Sequence, residues 1–490
     1  MTCFVGVDIG TTNIKLLAMN PETDEIVAHV SDSLTTLSPQ PDWAEQDPEA
    51  IWQVFRQLTA DLVIQLDAQR ITIDRVSFGT AMHSLLAVDA AGNPLTNAVL
   101  WSDNRAEAEA TSLRTGQAAL GKSIYAHTGT PIHPMIPLCK LAWFRETDPR
   151  LLYRAAKWIS IKEYIWWKLT GHYHIDYSIA TATGLFDEAA KTWYGPALDF
   201  AGVRAEQLST PQPTTFSVVY QPQPNDSGAV KFPADVAMHI GASDGCLANL
   251  GAGAIGPGIT TITIGTSGAI RRTVDRPLRD PAGRLFCYYL DASHYVVGGP
   301  TNNGGNVLEW LAEHLTQQTP DAVLAEAETV PPGADGLIFL PYLLGERAPL
   351  WDANVRGAYL NVGWQHTRAH FVRAALEGVL LNLWMTERLL TDACGPTTVI
   401  HANGGFARSR FWVQMMADVF GVPVRLNDSN ESSAMGAVLL AEKAASNPPV
   451  TLDDLTRRVG FGDTFTPDIT THLLYQAVFE RFTKAADALQ

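Results

Sequence analysis

Several short stretches of this sequence combine glycine, hydroxyl and carboxylate groups in patterns suited to phosphate chemistry. The first is Asp8-Ile9-Gly10-Thr11-Thr12-Asn13-Ile14-Lys15. A tight Gly-Thr-Thr turn offers an anion closely spaced backbone N–H donors and two hydroxyls. Gly10 lets the backbone approach with no Cβ in the way. Lys15 could add positive charge, although strand alternation can also turn it elsewhere. Asp8 precedes the turn, and a carboxylate beside a phosphate is unfavourable unless a cation lies between them. Asp8 therefore suggests Mg²⁺, held through water. A second turn, Gly265-Thr266-Ser267-Gly268, would grip the same polyphosphate from the other side. Either turn alone is equally an ordinary hairpin; the pair together with Asp8 favours phosphate.

The next stretch is Gly241-Ala242-Ser243-Asp244-Gly245-Cys246. A strand over 237–240 leads into it and a helix over 246–250 follows. Two readings of Asp244 stay open from spacing alone. It could cap the helix, where the dipole favours a carboxylate. It could also be a general base that takes the proton of a substrate hydroxyl attacking a γ-phosphate. Two further glycine pairs follow apolar runs and open helices. They are Gly404-Gly405 in Ala402 to Trp412, and Gly304-Gly305 in Asn302 to Asn306. Glycines there admit a phosphate or a flat base to the backbone, or simply make a turn.

The elements that must position these groups alternate between strand and helix. Each Gly-Thr turn lies between two apolar, β-prone runs and reads as a hairpin. The two hairpins are about half the chain apart, which points to a repeat at the level of domains. Helical periodicity covers 48–66, with Pro48 suited to a first turn. It also covers 103–120, 137–146 and 161–169, then 306–315, 368–390, 409–420 and 432–445. Strands are expected at 76–78, 85–88 and 399–402. The segment 211–233 is proline-rich and reads as a loop or strand-poor connection. The result is a mixed α/β chain with a boundary near 250, giving domains 1–250 and 251–490.

The net charge of −16 on 490 residues, with no cluster of Lys or Arg, argues against nucleic acid as partner. No stretch is apolar for long enough to span a bilayer, and no secretory signal is visible, so no membrane partner is expected. Five scattered cysteines without metal-ligand spacing read as reduced thiols of a cytoplasmic protein.

Taken in order, these segments resemble the FGGY carbohydrate kinases, a branch of the actin, sugar kinase and Hsp70 superfamily. The resemblance covers essentially the whole chain. Asp8 to Lys15 looks like the first phosphate motif, and Gly241 to Asp244 like the catalytic-base motif. Thr263 to Ser267 looks like the second phosphate motif. Ala402 to Ser409, with Trp412 and Gln414, looks like the adenosine motif. Pro137 to Phe144 and Gly345 to Pro349 are similar to a family signature and a common family loop. The resemblance implies two ribonuclease-H-like domains (the actin, hexokinase and Hsp70 type) that close on ATP and a polyol. It implies Asp8 organising Mg²⁺, with Gly10, Thr11, Thr12, Asn13 and Lys15 at the phosphates. Gly265, Thr266 and Gly305 would clasp them from the other domain. Gly405 and Ser409 would bound the adenine pocket, and Asp244 would be the base.

The expected substrate is a free sugar or sugar acid. Met82-His83 matches a pair that touches sugar in the family's pentulose branch. Trp101-Ser102-Asp103-Asn104-Arg105 resembles a Trp-x-Asp-x-Arg segment whose Trp101 could line the site and whose Asp103 could bind hydroxyls. Asp103 is equally a helix cap. Thr128 to Leu141, with His133, is similar to the branch that acts on gluconate. The expectation is therefore D-gluconate to 6-phospho-D-gluconate. A carboxylate pocket needs donors or a cation to replace lost hydration, and His83, His133, Lys140, Arg105 and Arg347 are the candidates. A xylulose or other pentulose or pentitol kinase is the rival reading. A non-catalytic ATP-binding switch on the same fold is the rival from another class. A homodimer is left open.

Overall fold

A computed structural model describes residues 1–222, 230–428, 431–446 and 448–488. The chain builds two mixed sheets, one in each half. The first half opens with β1 (Thr2–Ile9), β2 (Asn13–Met19) and β3 (Ile26–Ser33), an antiparallel meander. Helix α1 (Pro48–Ala68) follows, with Asp47 accepting from the Glu49 N–H at its start and Pro48 in the first turn. It returns the chain to β4 (Thr72–Thr80), parallel to β1. A long excursion contains α2 (Pro137–Thr147) and α3 (Ile161–Thr170). Strand β5 (Ser217–Val219) and then β6 (Ala237–Ser243) complete the sheet, and α4 (Asp244–Gly251) leaves it. The order is β5-β6-β4-β1-β2-β3.

The second half repeats the plan. Strands β7 (Ile259–Ile264) and β8 (Gly268–Val274) form the second hairpin. Strands β9 (Phe286–Asp291) and β10 (His294–Thr301) add to the antiparallel side. Helix α5 (Gly305–Trp310) follows, and α6 (Arg368–Cys394) crosses to β11 (Val399–Asn403), which lies parallel to β7. Helix α7 (Arg410–Phe420), β12 (Val424–Asn427), α8 (Ser432–Ala445), β13 (Phe461–Phe465) and α9 (Ile469–Asp487) finish the chain. The order is β9-β10-β8-β7-β11-β12-β13. In both sheets an antiparallel hairpin leads, a long helix crosses over, and two parallel strands follow. The repeat seen in the two Gly-Thr turns is a repeat of whole sheets.

Each half has its own apolar core, one around Val5, Phe55, Phe78 and Trp166, the other around Ile262, Phe339, Leu380 and Trp412. The excursion between β4 and β6 packs a third, which takes in Ala348 and Trp351 of the second half. Helices α4 and α8 occupy the same place in their halves, each after the second parallel strand, and they pack on each other. A Cβ on Gly436 would lie 2.0 Å from the Leu247 carbonyl oxygen, and one on Gly251 would lie 1.9 Å from that of Ser432. Glycine is what lets these two backbones meet.

Two expected helices are corrected. The segment 103–120 is not one helix: α-helix begins at Glu107, a π-helical turn takes Ser112–Gly116, and a new helix runs Ala118–Thr128. Likewise 306–315 begins as α5 and passes into a π-helical turn at Leu311–Thr316. Apolar spacing averages over such a bulge and does not reveal it. The helix after Ser243 starts at Asp244, two residues earlier than expected. The connection 211–233 carries the short strand β5 and the end of another at Thr210–Gln212; its residues 223–229 lie outside the described residues.

Candidate active site

The two hairpins face a common cavity of about 320 Å³. Register explains their presentation. In the first hairpin Ile9 pairs with Ile14, so Gly10 to Asn13 form the turn. In the second Ile264 pairs with Gly268, so Gly265 to Ser267 form it. Thr11 and Thr12 line the cavity from the first half, and Gly265, Thr266 and Ser267 from the second. Thr11 is held from behind. Its hydroxyl accepts from the Trp101 indole N–H at 2.9 Å, and its carbonyl accepts from the Gln46 amide at 2.7 Å.

A second cavity, of about 680 Å³, shares Gly265 and Thr266 with the first. Gly305, Gly405 and Ser409 also line it. The Gly305 N–H donates to the Gly265 carbonyl at 2.7 Å, which ties the start of α5 to the second turn. Ser409 caps α7 by accepting from the Trp412 N–H at 3.2 Å. Added Cβ atoms at Gly265 and Gly405 would meet no atom of the described residues within 4 Å beyond their chain neighbours, so both glycines leave backbone open to the cavities.

Asp244 lines the first cavity from the first turn of α4. Ser243, not Asp244, caps that helix. One Asp244 oxygen accepts from the Gly245 N–H at 2.7 Å. Burial raises its carboxyl above the ordinary range, opposed first by the Arg271 guanidinium and then by the Gly245 N–H, Lys162 and Arg347. A half-buried carboxylate with raised basicity is a better proton acceptor than a solvated one. Asp8 lies close enough to Asp244 to feel its charge. Burial first, and Asp244 second, push Asp8 up to about 7, against a 2.9 Å hydrogen bond from the Ser433 hydroxyl on α8. Two carboxylates crowded in this way are the donor set that a hard divalent cation with retained waters accepts. No cluster of three or more metal-binding side chains occurs among the described residues.

On the sugar side, Met82, His83 and Trp101 line the cavity. His83 stands at φ 69°, a left-handed conformation unusual for a non-glycine residue. Lys140 holds that turn. Its buried ammonium donates to the carbonyls of His83 (2.6 Å), Leu100 (2.7 Å) and Val99 (3.2 Å). His83 Nδ1 donates to the Ala182 carbonyl at 2.9 Å. Burial, then the Lys140 charge, lower His83 to about 3, so the ring is neutral at neutral pH.

Five expected contacts lie elsewhere. Gly10 lines neither cavity, and its N–H donates to the Asn13 carbonyl at 3.0 Å within the turn. Lys15 does not line the cavity; it stands opposite Asp8 in the hairpin, on the same face, and pairs with Glu431 at 2.9 Å. Asn13 pairs with Ser33 in the sheet and does not line the cavity. Asp103 is fully buried behind the site, accepting from the Ala44 N–H and from the Arg105 guanidinium. His133 is buried against Trp351, accepts from the Met135 N–H, and lies outside the cavity wall. Sequence reasoning missed Arg271, Phe286 and Tyr288, which close the cavity from the second half. The available signal was the Arg271-Arg272 pair inside an apolar strand, since alternation must send one of them to each face.

Two lobes of one plan, with open-backboned hairpins across a shared cleft and a basic carboxylate between them, make a two-lobed phosphotransferase. The profile of the FGGY family of carbohydrate kinases, N-terminal domain, matches residues 3–251, and that of the C-terminal domain matches residues 260–445. The chain belongs to the FGGY family of carbohydrate kinases and is a sugar kinase. It is 42% identical over 453 residues to a gluconokinase of Bacillus subtilis (strain 168), covering 90% of this chain and 87% of that one. Two solved structures from Lactobacillus acidophilus superpose with a TM-score of 0.93 at 33% identity, covering 100% of this chain and 98% of theirs. One is described as a ligand-bound xylulose kinase, the other as a gluconate kinase. The expected fold, two actin- and hexokinase-like α/β domains with a cleft between them, is the one this family has.

Proposed function

We propose that the protein transfers the γ-phosphate of ATP to the C6 hydroxyl of D-gluconate, giving 6-phospho-D-gluconate, with Asp244 as general base. One observation carries this reading. Asp244 lies in the wall of a cavity entered by the glycine-threonine hairpins of both lobes. ATP would lie across the two cavities that share Gly265 and Thr266, its adenosine between Gly405 and Ser409 and its phosphates at Thr11, Thr12 and Thr266. Asp8 would hold Mg²⁺, which when bound neutralises phosphate charge. The sugar would rest on Met82, His83 and Trp101. Asp244 takes the hydroxyl proton as that oxygen bonds to the γ-phosphorus and the bond to the β-phosphate oxygen breaks, releasing ADP. Lobes meeting around the cavity hold the two reactants in line and exclude water.

A sugar acid is favoured over a neutral sugar because the cavity wall carries two guanidiniums, Arg271 and Arg347, against the single carboxylate of Asp244. The relative named a gluconokinase supports the same choice. A pentulose is the second reading, since a structure described as a xylulose kinase matches as well as one described as a gluconate kinase. An ADP-release assay across gluconate, xylulose, ribulose, xylitol and glycerol separates the two. Gluconate should give the highest kcat/KM, by at least about tenfold, the discrimination a placed charge readily supplies. A pentulose exceeding gluconate would replace this substrate assignment.

A further inference from the structure

A carboxylate that leaves water needs several donors or a fixed cation in exchange. The basic groups of the N-terminal lobe near the sugar are already committed. Lys140 spends its ammonium on three backbone carbonyls. Arg105 spends its guanidinium on Asp103 and Glu45 and stacks on Trp43. His83 and His133 are both driven neutral by burial.

The opposite wall differs. Arg271 and Arg272 are neighbours on β8 and point to opposite faces. Arg272 bonds Thr260 and Thr397 on the far face. Arg271 lines the cavity, and its Nε has no hydrogen-bond partner among the described residues. Two more buried donors on that wall lack partners in the same way: the Tyr288 hydroxyl and Arg347 Nε. Arg347 is held rigidly, stacked on the Trp101 ring at 4.5 Å with one NH₂ donating to the Thr301 carbonyl at 2.8 Å. Arg271 and Arg347 also repel each other through space. Three unpartnered donors and two like charges on residues of one cavity wall describe a receptor for an anion.

Resting on the sugar-acid reading above, we propose that Arg271, Tyr288 and Arg347 of the C-terminal lobe form the receptor for the substrate's carboxylate. The sugar chain then lies on Met82 and His83 of the N-terminal lobe while its acid group engages the C-terminal lobe. The charge of the substrate, rather than its hydroxyls, ties the lobes together. A neutral polyol of equal length fills the same space without making that bridge.

Calorimetric titration of D-gluconate and of neutral D-glucitol, into protein loaded with a non-hydrolysable ATP analogue, tests this. R271M should weaken gluconate binding about 100-fold, and Y288F about tenfold, as expected for lost donors to a buried charge. Glucitol binding and ATP-analogue binding should each change by less than about threefold, a margin well below one charged hydrogen bond. R347M should repeat the R271M result; should it fail to fold, R271M and Y288F decide alone. Unchanged gluconate affinity in R271M would overturn the proposal, as would equal losses for gluconate and glucitol. Wild-type protein that binds xylulose and no gluconate would fail the substrate reading itself, and this receptor with it.

Discussion

The turns at Gly10 and Gly265 occupy equivalent points of their sheets, yet the residue two before the glycine is Asp8 in one and Thr263 in the other. The strand framework is shared; turn length, four residues against three, and charge are not. Asp8 adds a carboxylate beside Asp244, so the N-terminal turn suits a metal-bridged phosphate. Thr263 puts only a hydroxyl into the cavity wall, and that hydroxyl has no partner among the described residues. The cations differ too. On the first hairpin Lys15 is neutralised by Glu431, whereas on the second Arg271 faces the cavity. The duplicated scaffold thus sets a carboxylate beside the first turn and a guanidinium beside the second.

Breaking the acidic side at its centre should have the largest effect. Asp244→Asn is expected to lower kcat by about 10²–10⁴-fold, the usual worth of a positioned base, while titration shows ATP-analogue affinity unchanged. Turnover near wild type would remove Asp244 from the mechanism. Next is the hairpin contrast itself. Asp8→Thr gives the first turn the residue of the second and should raise the Mg²⁺ concentration for half-maximal rate about 10–100-fold. Thr263→Val, which removes no charge, should leave that value within error. Asp8 also sets a pH dependence. With its folded value raised to about 7, protons compete with Mg²⁺ below that pH, so the apparent Mg²⁺ affinity should fall as pH drops from 8 to 6. The same shift makes the metal-free protein hold that proton more tightly folded than unfolded. This contribution to stability is full below the ordinary carboxylate value of 3.8 and is lost as pH rises through about 7.

Smaller effects separate packing from binding. Gly436→Ala should destabilise by about 1–3 kcal/mol through forced overpacking on Leu247, read as a lower denaturation midpoint. Gly265→Ala should show the reverse split. Its methyl meets no atom of the described residues within 4 Å beyond its chain neighbours, so the midpoint holds while the KM for ATP rises. Least of all, Lys15→Ala removes a partly exposed pair worth under about 1 kcal/mol, and turnover should stay close to wild type. A large loss there would return Lys15 to the phosphates.

Turn chemistry made the hairpins legible. Gly-Thr turns between β-prone runs have few alternatives, and their recurrence half a chain apart revealed the duplicated sheets. Asp244 was legible as a residue with two roles open from spacing; the structure gives the helix cap to Ser243. Side-chain direction was the hard part. Asp103 and Lys140 have the residue types of ligands but spend every polar atom on neighbouring backbone or on Arg105. Arg271 is recognisable only once the faces of β8 are known, because its neighbour Arg272 is equally basic. The π-helical turns at Ser112–Gly116 and Leu311–Thr316 escaped for a similar reason, since one inserted residue leaves the average spacing almost unchanged.

The meeting of α4 and α8 has a consequence for how this chain can be divided. Each helix belongs by sequence to one lobe and docks partly on the other. Asn249 of α4 bonds Thr261 and Thr273 across the seam, and α8 lies so close to β1 that Gly6 has no room for a side chain. A cut near residue 250 would therefore strip each fragment of part of its own floor. The fragments, co-expressed, would be complementary halves that regain a solvent-tight seam only by finding one another.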